Sequence, residues 1–292
     1  MIQKTISEVL KERFGCKVYK LSLDGGMTCP NRDGSVGERG CIFCSDKGSG
    51  DFAEAPCGNI ALQLENAKKR VESKVRGGKY LAYFQSFTNT YAPLPYLKRI
   101  YTEAIAPEEV VGLAIATRPD CLSDEVIELL KEINQIKPIW VELGLQTADD
   151  EVGKYIRRGF NTEVFDSAVK KLSAAGIETV AHVIIGLPED DPVKTTKHIS
   201  ALPVSGVKFH LLHVISGTDL EKDYREGKFE ALSLEEYTET LKKCVSVLRE
   251  DIIIHRLTGD GAKRDLVAPL WSGDKKRVLN HINKALGGNE NA

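Results

Sequence analysis

The chain reads as an α/β protein, a partial (β/α)6-type TIM barrel with short N- and C-terminal extensions. Three observations predict this. β-branched and apolar runs recur along the chain, amphipathic helical patterns separate them, and 292 residues suffice for one barrel-like domain. A doubly wound open sheet is the alternative closure of the same alternation. On this reading residues 1–17 form an N-terminal helix and residues 18–218 the barrel core. Residues 219–292 form an extension that contributes to substrate binding.

The elements follow in order. MIQKTISEVLKERF alternates charged and apolar residues as an amphipathic helix does, and it lacks the apolar stretch of a secretory signal. Strands are predicted at 18–24 (VYKLSLD), 80–86 (YLAYFQS), 110–116 (VVGLAIA) and 138–145 (PIWVELGL), then at 178–185 (ETVAHVII), 206–214 (GVKFHLLHV) and 252–257 (IIIHRL). Helical patterns fall between them at 58–77, 93–106, 123–136, 162–175, 192–201 and 234–250. Ser123 precedes DEVIELLKEI, whose Val126, Ile127, Leu130 and Ile133 share one face, and Asn161 precedes TEVFDSAVKKL. Both are side chains that cap a helix N-terminus by accepting a backbone N–H. Strand then helix, repeated, requires parallel pairing with crossover helices.

Hydrophobic residues make up 42% and charged residues 28%, the balance of an ordinary globular protein. No apolar run reaches the length of a membrane span, so a cytoplasmic protein without membrane contact is expected. In that compartment thiols stay reduced, and clustered cysteines point to metal or catalysis before disulfides. The net charge of −2 argues against indiscriminate polyanion binding. Charge is nevertheless segregated: residues 58–79 carry six bases against two acids, as do residues 263–284, while residues 219–239 carry eight acids against three bases. Such segregation is compatible with a positive face for RNA and also with ordinary solvated helix faces.

TCPNRDGSVGERGCIFCSDKGSG, residues 28–50, holds three of the seven cysteines. Cys41 and Cys44 form a CxxC, and Cys29 stands upstream across a Gly- and Asn-rich loop that leaves the C-terminal end of the first predicted strand. Parallel barrels place their active sites on that face. A zinc knuckle explains the CxxC but wants a fourth ligand, and a thioredoxin-like pair leaves Cys29 unexplained. An iron–sulfur cluster held by three thiolates accounts for all three and leaves one iron open. Cys16, Cys57, Cys121 and Cys244 are scattered and read as packing residues. The later strands end in polar residues, FQSFTNT, ATRPD, ELGLQT and HVIIGLPED, which converge over a barrel mouth. KYIRRGF follows LGLQT, so Arg157 or Arg158 can turn a guanidinium toward a carboxylate there.

In these motifs, from about Lys20 to Thr218, the chain resembles the radical S-adenosylmethionine (SAM) superfamily, and in particular the branch with elongator-type and oxygen-independent coproporphyrinogen-oxidase-type enzymes. LDGGMTCPNRDG…GCIFC is most similar to a bacterial family of small radical SAM proteins with a widened Cys-x11-Cys-x2-Cys motif, a departure from the common CxxxCxxC. The resemblance implies that Cys29, Cys41 and Cys44 ligate a [4Fe–4S] cluster whose fourth iron is chelated by SAM. It implies that Phe43 lies near the adenine, Gln146 at the ribose, Arg158 at the SAM carboxylate, His182 on the ribose side and Ile184 with its backbone at the adenine. Relatives carry a GGE-like turn for the SAM amino group; FQSFTN stands there, which leaves Gln85, Ser86 or Thr88 to do that work. The chemistry implied is one-electron cleavage of SAM to a 5′-deoxyadenosyl radical that abstracts a substrate hydrogen, fed by a donor such as flavodoxin or ferredoxin.

Selectivity falls to the C-terminal third. His210 and His213 sit on one predicted strand, where alternation puts them on opposite faces and only one in the cavity. Arg256, Lys263, Arg264, Lys275, Lys276 and Arg277 are candidates for phosphates and Trp271 for stacking on a base, or else Trp271 packs beneath the barrel. The resemblance points to tRNA as substrate, at the wobble uridine, taking 5-carboxymethylaminomethyl to 5-aminomethyl, with Arg118 or Arg256 for the carboxylate and His213 nearby. The alternatives are a radical SAM enzyme acting on a small metabolite or tetrapyrrole, and a non-catalytic zinc-stabilised RNA-binding module.

Overall fold

Seven parallel strands form one curved sheet in the computed structural model, which describes residues 3–46, 48, 53, 58–74, 78–259, 261 and 263–287. The first half of the chain runs α1 (Ile6–Phe14), β1 (Val18–Leu23), α2 (Ile60–Val71), β2 (Lys79–Phe84), α3 (Leu94–Ile105), β3 (Val110–Thr117), α4 (Asp124–Ile136) and β4 (Ile139–Gln146). It continues through α5 (Asp150–Tyr155), α6 (Thr162–Ala174), β5 (Glu178–Ile185), α7 (Pro192–Ser200), β6 (Gly206–Leu211) and β7 (Val214–Ile215). The last third holds α8 (Asp219–Arg225), α9 (Leu234–Ser246), β8 (Ile253–Arg256), β9 (Leu266–Ala268) and α10 (Lys275–Ala285). The sheet order is β1-β2-β3-β4-β5-β6-β8, a half-barrel; β7 and β9 pair antiparallel beside it. The seventh strand thus comes from the C-terminal extension and enlarges the six-stranded core. Of the helix expected over 58–77, residues 75–77 lie outside the described residues.

The helices begin where local chemistry dictates. Ser123 Oγ accepts from Val126 N at 3.3 Å and the Asn161 side chain from Val164 N at 3.3 Å. Thr5 and Glu8 form a reciprocal capping box at the start of α1, and Gly15 ends that helix at φ 72°. One large apolar core lies between the outer face of the sheet and its helices, built from residues such as Leu97, Leu130, Phe165, Phe209 and Leu241. The inner face is sealed at its N-terminal end by α1. This helix packs against both edge strands, β1 and β8, and Leu10 joins Leu81, Ala114, Trp140 and Val180 in a second apolar cluster.

Two positions along each strand separate that apolar layer from a charged one. Lys20, Tyr83, Glu142, His182 and Lys208 point inward on β1, β2, β4, β5 and β6, while β3 contributes only Ala116. A register shift between β6 and β8 brings Arg256 abreast of Lys208. Barrel interiors are ordinarily packed with branched aliphatic residues. Here the layer above Trp140 is ionic, and the functional cavity opens directly over it.

Candidate active site

A cavity of about 290 Å³ occupies the C-terminal mouth of the half-barrel. One wall is the loop after β1: Cys29, Cys41, Phe43 and Cys44 line it, with Arg32 and Arg118 alongside. Asn31 ties this loop down, donating from Nδ2 to the Arg157 carbonyl at 2.5 Å and approaching Cys41 Sγ at 3.5 Å. Arg32 Nη2 holds the loop's far end through the carbonyls of Cys44 (3.2 Å) and Ser45 (2.7 Å). The Cys41 thiol is pulled down to about 7, chiefly by its hydrogen bond with Cys44, with further help from Arg118, Asn31 and Arg32 against desolvation. The same hydrogen bond, with burial, pushes the Cys44 thiol well up; the thiolate is the form that ligates metal.

The end of β4 supplies the next wall. Gln146 lines the cavity with φ 65°, a left-handed conformation that a non-glycine residue adopts only under constraint. Gly144 makes this possible: a Cβ there would lie 2.4 Å from Gln146 Nε2. Gln85, Thr88, His182 and Ile184 also face the cavity. Ser86 does not line it; it is buried, and its Oγ has no partner among the described residues.

Arg158 departs from its expected role. Its guanidinium is engaged on every nitrogen: Nε donates to Phe160 O (2.9 Å), Nη1 to Leu145 O (3.0 Å) and Thr147 O (2.5 Å), and Nη2 to Asp150 Oδ1 (2.7 Å) and Thr162 Oγ1 (3.4 Å). Only 1% of the residue is exposed. It clamps the end of β4 to the turn before α6 and has no donor left for the carboxylate of SAM. Its neighbour Arg157 is bound to Asp219 at 2.6 Å. Arg118 pairs bidentately with Asp120 and donates to Arg158 O, so most of its donors are also committed.

On the opposite wall both His210 and His213 reach the cavity. The expected alternation fails because β6 stops at Leu211 and the chain turns before His213, rather than running straight to residue 214. Trp271 does not reach the site: its indole N–H donates to Leu232 O at 2.8 Å, its ring packs 5.9 Å from Tyr237, and it belongs to the outer core. Lys263, Arg264, Lys275, Lys276 and Arg277 do not line the cavity either. Arg256 does, and it has no hydrogen-bond or ion-pair partner among the described residues.

The floor is the charged layer, which was not singled out from the sequence. Glu142, whose side chain is fully buried, accepts from Lys208, from Lys20 (3.3 Å) and from His182 Nε2 (3.1 Å); Lys208 also reaches Tyr83 Oη at 3.2 Å. Against a desolvation that opposes ionisation, Lys208, Lys20 and His182 hold Glu142 well below the usual carboxylate range. Burial pushes His182 down to about 4, and desolvation drives His210 and His255 in the same direction. The imidazoles are therefore neutral at physiological pH; desolvation also drives Lys208 well below the usual lysine range, against the pull of Glu142, and Lys20 and Arg256 are the layer's other basic groups. The signal was legible: a single charge at an inward position of an apolar strand, as in PIWVELGL or GVKFHLL, has to find a buried partner.

Among the described residues no three His, Cys, Asp or Glu side chains are gathered closely enough to hold a single metal ion. Cys16, Cys121 and Cys244 stand outside the cavity wall, and Cys57 lies outside the described residues. No helix among the described residues is long and apolar enough to cross a membrane.

A half-barrel with three thiols on one loop over its C-terminal mouth is the architecture of enzymes that use an iron–sulfur cluster with SAM. The family model described as "Radical SAM superfamily" matches residues 34–199, and the "Radical_SAM C-terminal domain" model matches residues 204–287. The chain belongs to the radical SAM superfamily, which implies a [4Fe–4S] cluster and SAM as cofactors. It is 43% identical to YtqA of Bacillus subtilis, over 97% of this chain and 88% of that protein. It is 36% identical to YhcC of Escherichia coli K12, over 90% and 85%. Over 61% of its length it is 30% identical to the tRNA uridine(34) acetyltransferase of Methanocaldococcus infernus, 33% of which is covered. The solved structure of the Elp3 protein of that archaeon, lacking its N-terminus, shares the fold: TM-score 0.66 at 20% identity, covering 91% of this chain and 63% of the other.

Proposed function

We propose that this radical SAM enzyme modifies tRNA at the wobble uridine, converting a 5-carboxymethylaminomethyl group to 5-aminomethyl. The observation that carries the reading is the cavity floor, where Arg256 faces the site without a hydrogen-bond or ion-pair partner among the described residues while the Glu142 carboxylate is already taken up by Lys208, Lys20 and His182. A substrate side chain ending in a carboxylate supplies the missing charge. Similarity to proteins named as tRNA uridine(34) acetyltransferases supports the choice of tRNA and of the nucleoside.

The donor set fits the cofactors the superfamily implies. Cys29, Cys41 and Cys44 would hold the cluster, with Arg118 and Arg32 helping to lower the Cys41 thiol. When bound, cluster and SAM supply a radical able to abstract a substrate hydrogen. Phe43, Gln146 and Ile184 line the adjoining wall and would pack and hold the nucleoside part of SAM; Gln85 and Thr88 line the cavity where its amino group would lie. Hydrogen abstraction at the carbon between nitrogen and carboxylate is favoured because both neighbours stabilise the resulting radical; giving up one electron to the oxidised cluster, that radical would become an imine, and water would cleave its C=N bond to the 5-aminomethyl amine and glyoxylate. A one-electron donor such as flavodoxin or ferredoxin would serve it.

Anaerobic incubation with SAM and a reductant, with and without bulk tRNA, tests reaction and substrate class together. We expect 5′-deoxyadenosine formation that tRNA stimulates, and 5-aminomethyluridine accumulating in the tRNA nucleosides. Release of 5′-deoxyadenosine with no change in any wobble uridine would leave the chemistry and overturn the substrate.

A further inference from the structure

His182 bonds to Glu142 through Nε2, at 3.1 Å. Glu142 is ionised and can only accept, so Nε2 carries the ring proton and Nδ1 is left with a lone pair. His182 lines the cavity, and its Nδ1 takes no hydrogen bond from any described residue. The tautomer is locked in depth, because Lys208 and Lys20 clamp the carboxylate that sets it. One strand beyond Lys208 stands Arg256, brought into the same layer by the register shift at Val207/Lys208. An acceptor and a cation therefore face one cavity from strands two apart, roughly 10 Å between their backbones.

We propose that His182 and Arg256 form a two-point subsite for an N-substituted glycine, His182 Nδ1 accepting the amine N–H and Arg256 binding the carboxylate. The proposal rests on the function above and adds the residues that make the cavity selective. Glu142 is the positioning residue of this pair: it touches no substrate and dictates which nitrogen of His182 is free. The arrangement also favours turnover. Once the two-carbon acid is gone, the product keeps an ammonium facing Arg256 with no carboxylate of its own to offset that guanidinium.

Equilibrium binding to the reconstituted enzyme with SAM and no reductant tests the subsite without relying on activity. Four anticodon stem–loop RNAs at one fixed salt concentration suffice as probes: 5-carboxymethylaminomethyluridine at the wobble position, its methyl ester, the ether analogue with oxygen replacing the amine N–H, and plain uridine. We expect the acid to bind about 10–100-fold tighter than the ester and about tenfold tighter than the ether. Arg256→Gln should erase only the first preference and His182→Phe only the second. Should the wild type favour the modified loop while both variants keep both preferences, the subsite is overturned and the proposed function stands. Equal binding of all four RNAs overturns the proposed function and the subsite with it. If a variant does not fold, the wild-type series decides, since equal affinity for amine and ether removes His182.

Discussion

Replacing Glu142 by Gln perturbs a carboxylate whose side chain has no exposure and whose main partner, the Lys208 ammonium, is 3% exposed. The substitution keeps shape and volume but removes the charge that compensates Lys208 and Lys20, and it can turn an amide N–H₂ toward a buried ammonium. Breaking a buried pair on one side costs about 3–5 kcal/mol, because the remaining charge stays desolvated and unpaired. Lys20 adds little to this figure, since its side chain is 29% exposed and water compensates it. Removing both charges is a different perturbation. Glu142→Leu with Lys208→Met replaces the pair by apolar groups of similar size, and such replacements are often neutral or stabilising. The expected result is a Glu142→Gln loss of about 3–5 kcal/mol and a double variant within about 1 kcal/mol of the wild type, a coupling of at least about 2 kcal/mol. Urea unfolding of the apoprotein followed by circular dichroism reads both. A Glu142→Gln loss under 1 kcal/mol, or a double variant as unstable as the two single losses combined, would refute the argument that the layer is a mutually dependent ion cluster.

Other consequences are checked more simply. His182 is held at about 4 against an ordinary value of 6.5, so between these pH values the unfolded chain binds a proton that the folded chain refuses. Stability attributable to this ring is complete above pH 6.5 and falls as pH drops, by about 3 kcal/mol over two and a half units; urea midpoints in His182→Phe should fall less steeply between pH 7 and 5, and equal slopes would dismiss the effect. Arg158→Ala should destabilise the apoprotein by about 3–5 kcal/mol, since it strands the Leu145, Thr147 and Phe160 carbonyls and Asp150. An Arg158→Ala protein of normal stability but weakened SAM binding would return Arg158 to the cofactor. Cys29→Ala, Cys41→Ala and Cys44→Ala should each lose the iron–sulfur absorbance and SAM cleavage after anaerobic reconstitution; full SAM cleavage in any of them would remove that residue as a ligand.

The fold was largely legible because the central strands β3 to β6 are mostly buried on both faces and read as near-continuous apolar runs, and because capping residues such as Ser123 and Asn161 mark where helices begin. What failed did so for local reasons. Extending β6 to residue 214 missed the break after Leu211, and with it the convergence of His210 and His213 on one cavity. Arg158 was read as a free cation because spacing can bring a guanidinium to the mouth but cannot count the carbonyls waiting for it. Trp271 takes the packing alternative rather than the stacking one, its indole N–H donating to Leu232 O. The charged layer went unseen because its members come from β1, β2, β4, β5, β6 and β8, and no spacing along the chain brings them together. Only the inward alternation of each strand does, together with a bulge at β8 that alternation alone would have missed.

An ionic layer in a barrel interior is a poor way to gain stability, since aliphatic side chains of the same volume avoid the desolvation of every charge. Its location explains what it is for. The layer is one step above Trp140 and Leu81, which form a dry apolar seal with α1, and one step below the thiol loop and Gln146. It is thus a deep surface for a ligand entering the mouth, and Lys20, Lys208 and His182 are held there by Glu142 across the sheet. A radical-generating site needs its substrate held by contacts that do not flex, with the reacting carbon kept away from other C–H bonds. Polar groups locked by one another provide such contacts, whereas a flexible lysine reaching in from solvent does not. On the proposed function the same depth would set the selectivity, since a group entering without a carboxylate leaves Arg256 unpaired.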